Sequence, residues 1–180
     1  VGSEMCIRDR LTGGGYQMID MESRTACFTG HRELPTDDLP EISKRLEDTL
    51  VKLIEQGYRY FGAGGALGFD TLAAQVVLRL RERYPQIRLI LVLPCLNQTR
   101  GWPQADIDAY EEIKRCADKV TYTSEHYFRG CMQKRNRHLA DNSSVCICYL
   151  TKPTGGTAYT VNYARRSGLR IINIAGPDSL

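Results

Sequence analysis

At 180 residues, 42% hydrophobic and 25% charged, the chain has the make-up of one soluble domain long enough to bury its own core. Its net charge of +3 suits an anionic small molecule and falls short of the basic patch of a nucleic-acid binder, so nucleic acid is not expected as a partner. No apolar stretch approaches the roughly 20 residues of a membrane span, and no membrane association is expected.

In chain order, residues 1–22 show neither helical nor strand periodicity and lack the apolar centre of a signal peptide. They are expected to be a disordered or artefactual leader, with Met18 or Met21 as the start. A single domain is expected over residues 23–180. Its first strand is predicted over 24–29 and ends in Gly30-His31-Arg32. Asp37 and Asp38 are capping candidates for a helix whose first turn tolerates Pro40. Ile42, Leu46, Leu50, Leu53 and Ile54 give that helix an apolar stripe, and Gly57 ends it.

A short strand over 58–61 leads into Gly62-Ala63-Gly64-Gly65-Ala66-Leu67-Gly68 and then a helix with Phe69, Leu72, Ala73, Val76, Val77 and Leu80 on one side. The apolar run 87–93 reads as a strand buried on both faces and closes at Pro94. A polar loop follows over 97–105, then a helix over 106–116 and a weak strand over 119–122. Trp102 and Tyr110, on the loop and helix, could stack a base, although packing onto the domain is the commoner use of such rings. Gly130 precedes a helix to Asp141, and 144–150 is a further buried strand. The turn Thr151-Lys152-Pro153-Thr154-Gly155-Gly156 opens a helix over 157–167, which Gly168 stops before a last strand over 170–174. Strands alternating with helices across short turns predict an α/β fold of Rossmann-like, doubly wound kind, with a mostly parallel sheet and helices on both faces.

Seven cysteines form no Cys-x-x-Cys pair, so no metal site is expected. Cys146 and Cys148 alternate in an apolar run, share one face of a strand and read as small buried hydrophobes. Reduced thiols point to the cytosol.

The chemistry is expected in the strand-to-helix turns. Glycines at 62–68 let an anion approach backbone N–H groups at a helix N-terminus, where the dipole favours negative charge. The spacing departs from G-x-G-x-x-G by one residue, and no Gly-Lys-Ser/Thr is present, so this is not a P-loop. A tight turn that binds nothing fits the glycines of the first turn equally well. Gly155-Gly156-Thr157 repeats the arrangement, although Thr157 also suits a simple N-cap. A parallel sheet puts all such turns on one edge, so Gly30, Gly64, Gly65, Gly155 and Gly156 are expected to converge on one cleft. Arg135, near a helix start, could reach a phosphate there, and Asp70 a ribose hydroxyl, though helix-dipole compensation explains Asp70 as well. His31 and Arg32 are further ligand contacts, and His31 lacks a partner that would make it a general base.

Taken together, Thr29-Gly30-His31-Arg32, Gly64-Gly65-Ala66-Leu67-Gly68-Phe69-Asp70, Arg135-Asn136 and Gly155-Gly156-Thr157 resemble the YpsA-like branch of the SLOG superfamily, over about residues 24–174. The resemblance implies a pocket for nucleotides or derivatives such as ADP-ribose. It makes Gly30, His31, Arg32, Gly64, Gly65, Gly68, Asp70, Arg135, Asn136, Gly155, Gly156 and Thr157 the expected ligand-binding residues of a sensor or regulatory domain, with no cofactor. The same superfamily holds the LOG phosphoribohydrolases, which cleave nucleoside monophosphates, and the DNA-processing DprA-like proteins. The LOG pattern places a catalytic glutamate soon after Gly-Thr. Here Ala158, Tyr159, Thr160 and Val161 follow, with no carboxylate to stabilise an oxocarbenium-like state. Asp70 and Asp141 are the remaining candidates for that role. DNA binding of DprA type rests on kinship and on the basic run Arg129, Lys134, Arg135 and Arg137. A homo-oligomer is compatible with the sequence, which sets no oligomeric state.

Overall fold

The structure, a computed structural model, describes residues 20–176. Most of the expected leader (residues 1–19) lies outside the described residues, and 20–22 lead into a 3-10 turn, Glu22–Arg24. Strands and helices then alternate as β1 (Thr25–Gly30), α1 (Leu39–Glu55), β2 (Tyr60–Ala63), α2 (Phe69–Arg83), β3 (Arg88–Leu93), α3 (Gln104–Cys116), β4 (Lys119–Tyr122), α4 (Cys131–Asp141), β5 (Val145–Tyr149), α5 (Gly156–Arg166) and β6 (Arg170–Asn173). The strands form one six-stranded sheet in the order β4-β3-β2-β1-β5-β6. Every strand pair is parallel, so the mostly parallel sheet of the sequence reading is wholly so.

The elements form for the reasons their sequences give. In α1 the buried side chains are Ile42, Leu46, Leu50, Leu53 and Ile54, the stripe that a 3.6-residue period lays on one face. In β5 all five residues are buried, because the sheet is covered on both sides. Val145, Ile147 and Tyr149 point into the larger core beneath α1, α2 and α3, while Cys146 and Cys148 point with Cys27 into the smaller core beneath α4 and α5. Each large side chain fully buried there contributes about 1.5–3 kcal/mol of transfer free energy. The cysteines thus serve as apolar filling, as their alternation predicts.

Some local expectations change. Asp38 stands at the N-cap of α1 without a side-chain cap hydrogen bond, because a 3-10 turn, Thr36–Asp38, runs directly into the helix. Helix α5 begins at Gly156, so the N-cap is Gly155 rather than Thr157. Trp102 and Tyr110 meet edge to face at 5.7 Å and pack α3 against the sheet. Among the described residues no helix is long and apolar enough to cross a membrane.

The strand order puts a switch point between β1 and β5. From β1 the chain winds outward through β2, β3 and β4, then returns to β5 and continues to β6. Loops at the carboxyl ends of β1 and β5 therefore diverge, and the crevice between them is where open α/β sheets hold ligands.

Candidate functional site

A cavity of about 250 Å³ occupies that crevice. Thr29, Gly30, His31 and Arg32 form its β1 side, Met132, Gln133, Arg135 and Asn136 come from α4, and Gly156 and Thr157 open α5 opposite. Ala66 and Asp70 close the remaining wall. Gly30, His31, Arg32, Asp70, Arg135, Asn136, Gly156 and Thr157 were all expected here. Met132 and Gln133 were missed, although they lie one helical turn before Asn136 and so share its face, a signal present in the spacing.

The first glycine turn behaves differently from its expectation. Gly64, Gly65 and Gly68 do not line the cavity, and two of the turn's amides are already taken. Asp70 Oδ2 accepts hydrogen bonds from the N–H of Gly64 at 3.2 Å and of Ala66 at 3.3 Å. An internal carboxylate thus sits where an external phosphate was expected. Gly65 turns toward Leu93, Tyr110 and Gln98, and Gln98 Nε2 donates to its carbonyl at 3.0 Å. Gly68, at φ +73°, lies against the carbonyls of His31 and Arg32, and a Cβ there would collide with that backbone. Phe69 N–H donates to the His31 carbonyl at 3.0 Å, so the second loop is docked onto the first.

Arg135 is 3% exposed, and its guanidinium organises the centre of the site. Nε donates to Asn136 Oδ1 at 2.6 Å, Nη1 donates to the Gly64 carbonyl, and Nη1 stands 3.9 Å from Asp70 Oδ2. Nη2 has no hydrogen-bond partner among the described residues. Gly64 must be glycine because a side chain there would occupy the guanidinium's place. Asn136 Nδ2 donates to Thr160 Oγ1 at 2.9 Å, and Thr160 Oγ1 donates to the Gly156 carbonyl at 3.0 Å. One chain of hydrogen bonds therefore joins the first glycine turn to the second through Arg135, Asn136 and Thr160.

Burial raises the pKa of Asp70, with the Arg135 charge and the two amide donors opposing. The same burial works against the Arg135 charge, which Asp70 supports. A guanidinium does not lose its proton at ordinary pH, so the pair is best described as a charged arginine holding a reluctant carboxylate. His31 packs edge-on against Tyr149 at 6.0 Å, and its Nε2 accepts the Thr151 N–H at 3.1 Å. Burial, and then the Lys152 ammonium, keep its pKa below the ordinary imidazole value. With Nε2 occupied, the imidazole ties the β1 loop to the β5 loop rather than waiting as a base.

The second turn is open. Gly155 caps α5 without a side-chain hydrogen bond, and among the described residues no atom beyond the adjoining backbone stands within 4 Å of where a Cβ of Gly155 or Gly156 would lie. The N–H groups of Gly156, Thr157 and Ala158 have no acceptor among the described residues, as expected of a first helical turn that lacks a cap. Asp141 does not line the cavity. It accepts a hydrogen bond from the Tyr163 hydroxyl at 2.7 Å, at the last residue of α4. Among the described residues no three His, Cys, Asp or Glu side chains gather as a metal site requires.

The YpsA model of the YspA SLOG family matches residues 27–171. The chain belongs to that SLOG family. This SLOG chain is 30% identical over 128 residues to a UPF0398 protein of Halalkalibacterium halodurans, covering 69% of the chain and 68% of that relative. It is 25% identical to a UPF0398 protein of Bacillus licheniformis, covering 70% of each. The SLOG fold superposes on DNA processing protein A from Streptococcus pneumoniae with a TM-score of 0.64 at 19% identity, covering 91% of this chain and 55% of the other. The chain thus spans about half the length of that neighbour. DNA processing protein A from Helicobacter pylori, described with a single-stranded DNA binding mode, gives 0.61 at 17% identity, covering 85% and 66%. The protein TM1055 gives 0.51 at 22% identity, covering 83% and 72%. At these identities the neighbours establish the fold. The Rossmann-like reading and the SLOG resemblance drawn from the motifs both hold.

Proposed function

We propose that this domain binds the phosphate of a nucleotide or nucleotide derivative at the N-terminus of α5, as a cytosolic sensor or regulatory domain. The observation that carries the reading is the buried Arg135, whose Nη2 has no hydrogen-bond partner among the described residues, in a cavity whose facing wall is an uncapped helix start. A phosphate there accepts from the amides of Gly156 and Thr157 and from a charged donor, which together make strong charge-assisted bonds. Asp70 is the ribose contact through Oδ1, because only its Oδ2 is used by the turn. Gly30 and Arg32 complete the rim.

Cleavage of an N-glycosidic bond is less well supported. Among the described residues Asp70 is the only carboxylate lining this cavity, and its Oδ2 is committed to the Gly64 turn and Arg135. Single-stranded nucleic acid is a second reading, favoured by exposed Tyr127 and Phe128 beside Arg129 and by the Helicobacter pylori neighbour. Titration calorimetry with AMP, NAD, ADP-ribose and a short single-stranded oligonucleotide tests both. Nucleotide binding that is lost in Arg135→Met is the expected result. No heat with any nucleotide at millimolar concentration would refute the first reading, and salt-sensitive oligonucleotide binding alone would favour the second.

A further inference from the structure

A larger cavity of about 540 Å³ adjoins the first and shares His31 and Arg32 with it. Its remaining wall comes from Glu33, Leu34, Pro35, Tyr149, Thr151 and Lys152, at the carboxyl ends of the same two strands. Nothing in the phosphate reading so far uses this space. We infer that the two cavities form one elongated site, in which a second phosphate of the ligand lies between Arg32 and Lys152. The ligand class is then a nucleoside diphosphate or a diphosphate bridging two sugar-bearing halves, rather than a monophosphate. This rests on the phosphate assignment made above for α5.

Size is the first support. The inner cavity, at about 250 Å³, lies below the usual range of small-molecule sites, roughly 300–1,000 Å³, and suits a sugar phosphate better than a whole nucleotide derivative. The outer cavity has room for the remainder of such a ligand. Charge is the second. Arg32 and Lys152 are both exposed and make no hydrogen bond or ion pair among the described residues. Their placement is not loose, however. The Arg32 backbone is pinned beneath Gly68, and the Thr151 N–H and hydroxyl both lie 3.1 Å from His31 Nε2, which fixes the residue next to Lys152. The Arg32 charge is felt at Asp70 and Arg135, on the inner side, and the Lys152 charge at His31, at the seam. Two unpaired cations thus stand in sequence along the path from inner to outer cavity. Among the described residues Glu33 is the one carboxylate of the outer wall, so that wall keeps a positive balance, and its oxygens can accept from sugar hydroxyls. Leu34, Pro35 and Tyr149 offer an apolar side for the base or sugar.

The test compares AMP, ADP and ADP-ribose by titration calorimetry on the wild-type chain and on Lys152→Ala, a substitution at an exposed position with no bonds to lose. The expected result is that both diphosphates bind about tenfold more tightly than AMP, as one further charged contact would give. Lys152→Ala should abolish that advantage and leave AMP affinity unchanged. The His31 ring, followed by NMR, should show its pKa rise when ADP-ribose binds and stay put with AMP, because an anion beside Lys152 offsets the cation that lowers it. Diphosphates no tighter than AMP, or a Lys152→Ala variant that weakens AMP equally, would overturn the inference while leaving the inner site standing. Silence from all three ligands would remove the inner site as well.

Discussion

Replacing Arg135 by methionine keeps the volume and flexibility of the side chain and removes its charge. The variant loses the bonds to Gly64 and Asn136 and leaves Asp70, 6% exposed, with two amide donors and without the Arg135 charge. Breaking a buried pair from one side costs about 3–5 kcal/mol, most of it the penalty of the charge left behind. Asp70→Asn should cost a comparable amount by orphaning the guanidinium. If the two groups answer to each other, the double variant Arg135→Met/Asp70→Asn should be no less stable than either single one. Urea denaturation of the four proteins measures this, with pH as a second axis. Asp70 has a raised pKa, so the folded state holds its proton more tightly than the unfolded chain does. The corresponding stability is full below the unfolded value of about 3.9 and is lost as pH rises through the folded one. Removing Arg135 takes away the largest influence opposing that rise, so Arg135→Met should be least damaged in acid and lose further stability as pH increases. The double variant should lack this slope. Additive losses in the double variant, or a pH-independent cost in Arg135→Met, would refute the coupling.

Gly68→Ala should cost several kcal/mol and Gly168→Ala about 1 kcal/mol, since both glycines have positive φ but only Gly68 lies against the Arg32 backbone. Equal losses by thermal or chemical denaturation would show that the two loops are not docked through Gly68. His31 has a lowered pKa, so its contribution to stability is full above the unfolded value of about 6.5 and is lost as pH falls through the folded one. A His31→Gln variant should flatten the stability profile of the wild type over that interval, and an unchanged profile would count against the His31 to Thr151 link.

The outline of this fold was readable because its signals are periodic. The stripe of α1 and the alternation of β5 each tolerate only one burial pattern, and the turn glycines mark where elements change direction. Parallel topology alone set Gly30, Gly64, Gly65, Gly155 and Gly156 along one sheet edge, and of these Gly30 and Gly156 line the cavity. What spacing does not carry is which acceptor a turn's amides choose. Asp70 could have been a ligand contact with the amides of Gly64 and Ala66 left open, or could take those amides itself. The outcome depends on the side-chain path across the first turn of α2, and that is set by Arg135 arriving from a helix far along the chain. Gly65 instead faces Leu93, Tyr110 and Gln98, and Gly68 the carbonyls of His31 and Arg32. Met132 and Gln133 went unnoticed because neither residue type suggests chemistry on its own.

The return of the chain from the edge strand β4 to the central β5 has a consequence for assembly. The two sides of the crevice are supplied by β1 on one hand and by α4 and α5 on the other, so a nascent chain lacks the complete crevice until α5 has emerged. Under the proposed reading, a bound phosphate would fasten early and late segments together. At a ligand concentration one hundred times its dissociation constant, such a clasp would add about 2.7 kcal/mol against unfolding. Availability of the small molecule would in this way set how long the finished protein persists.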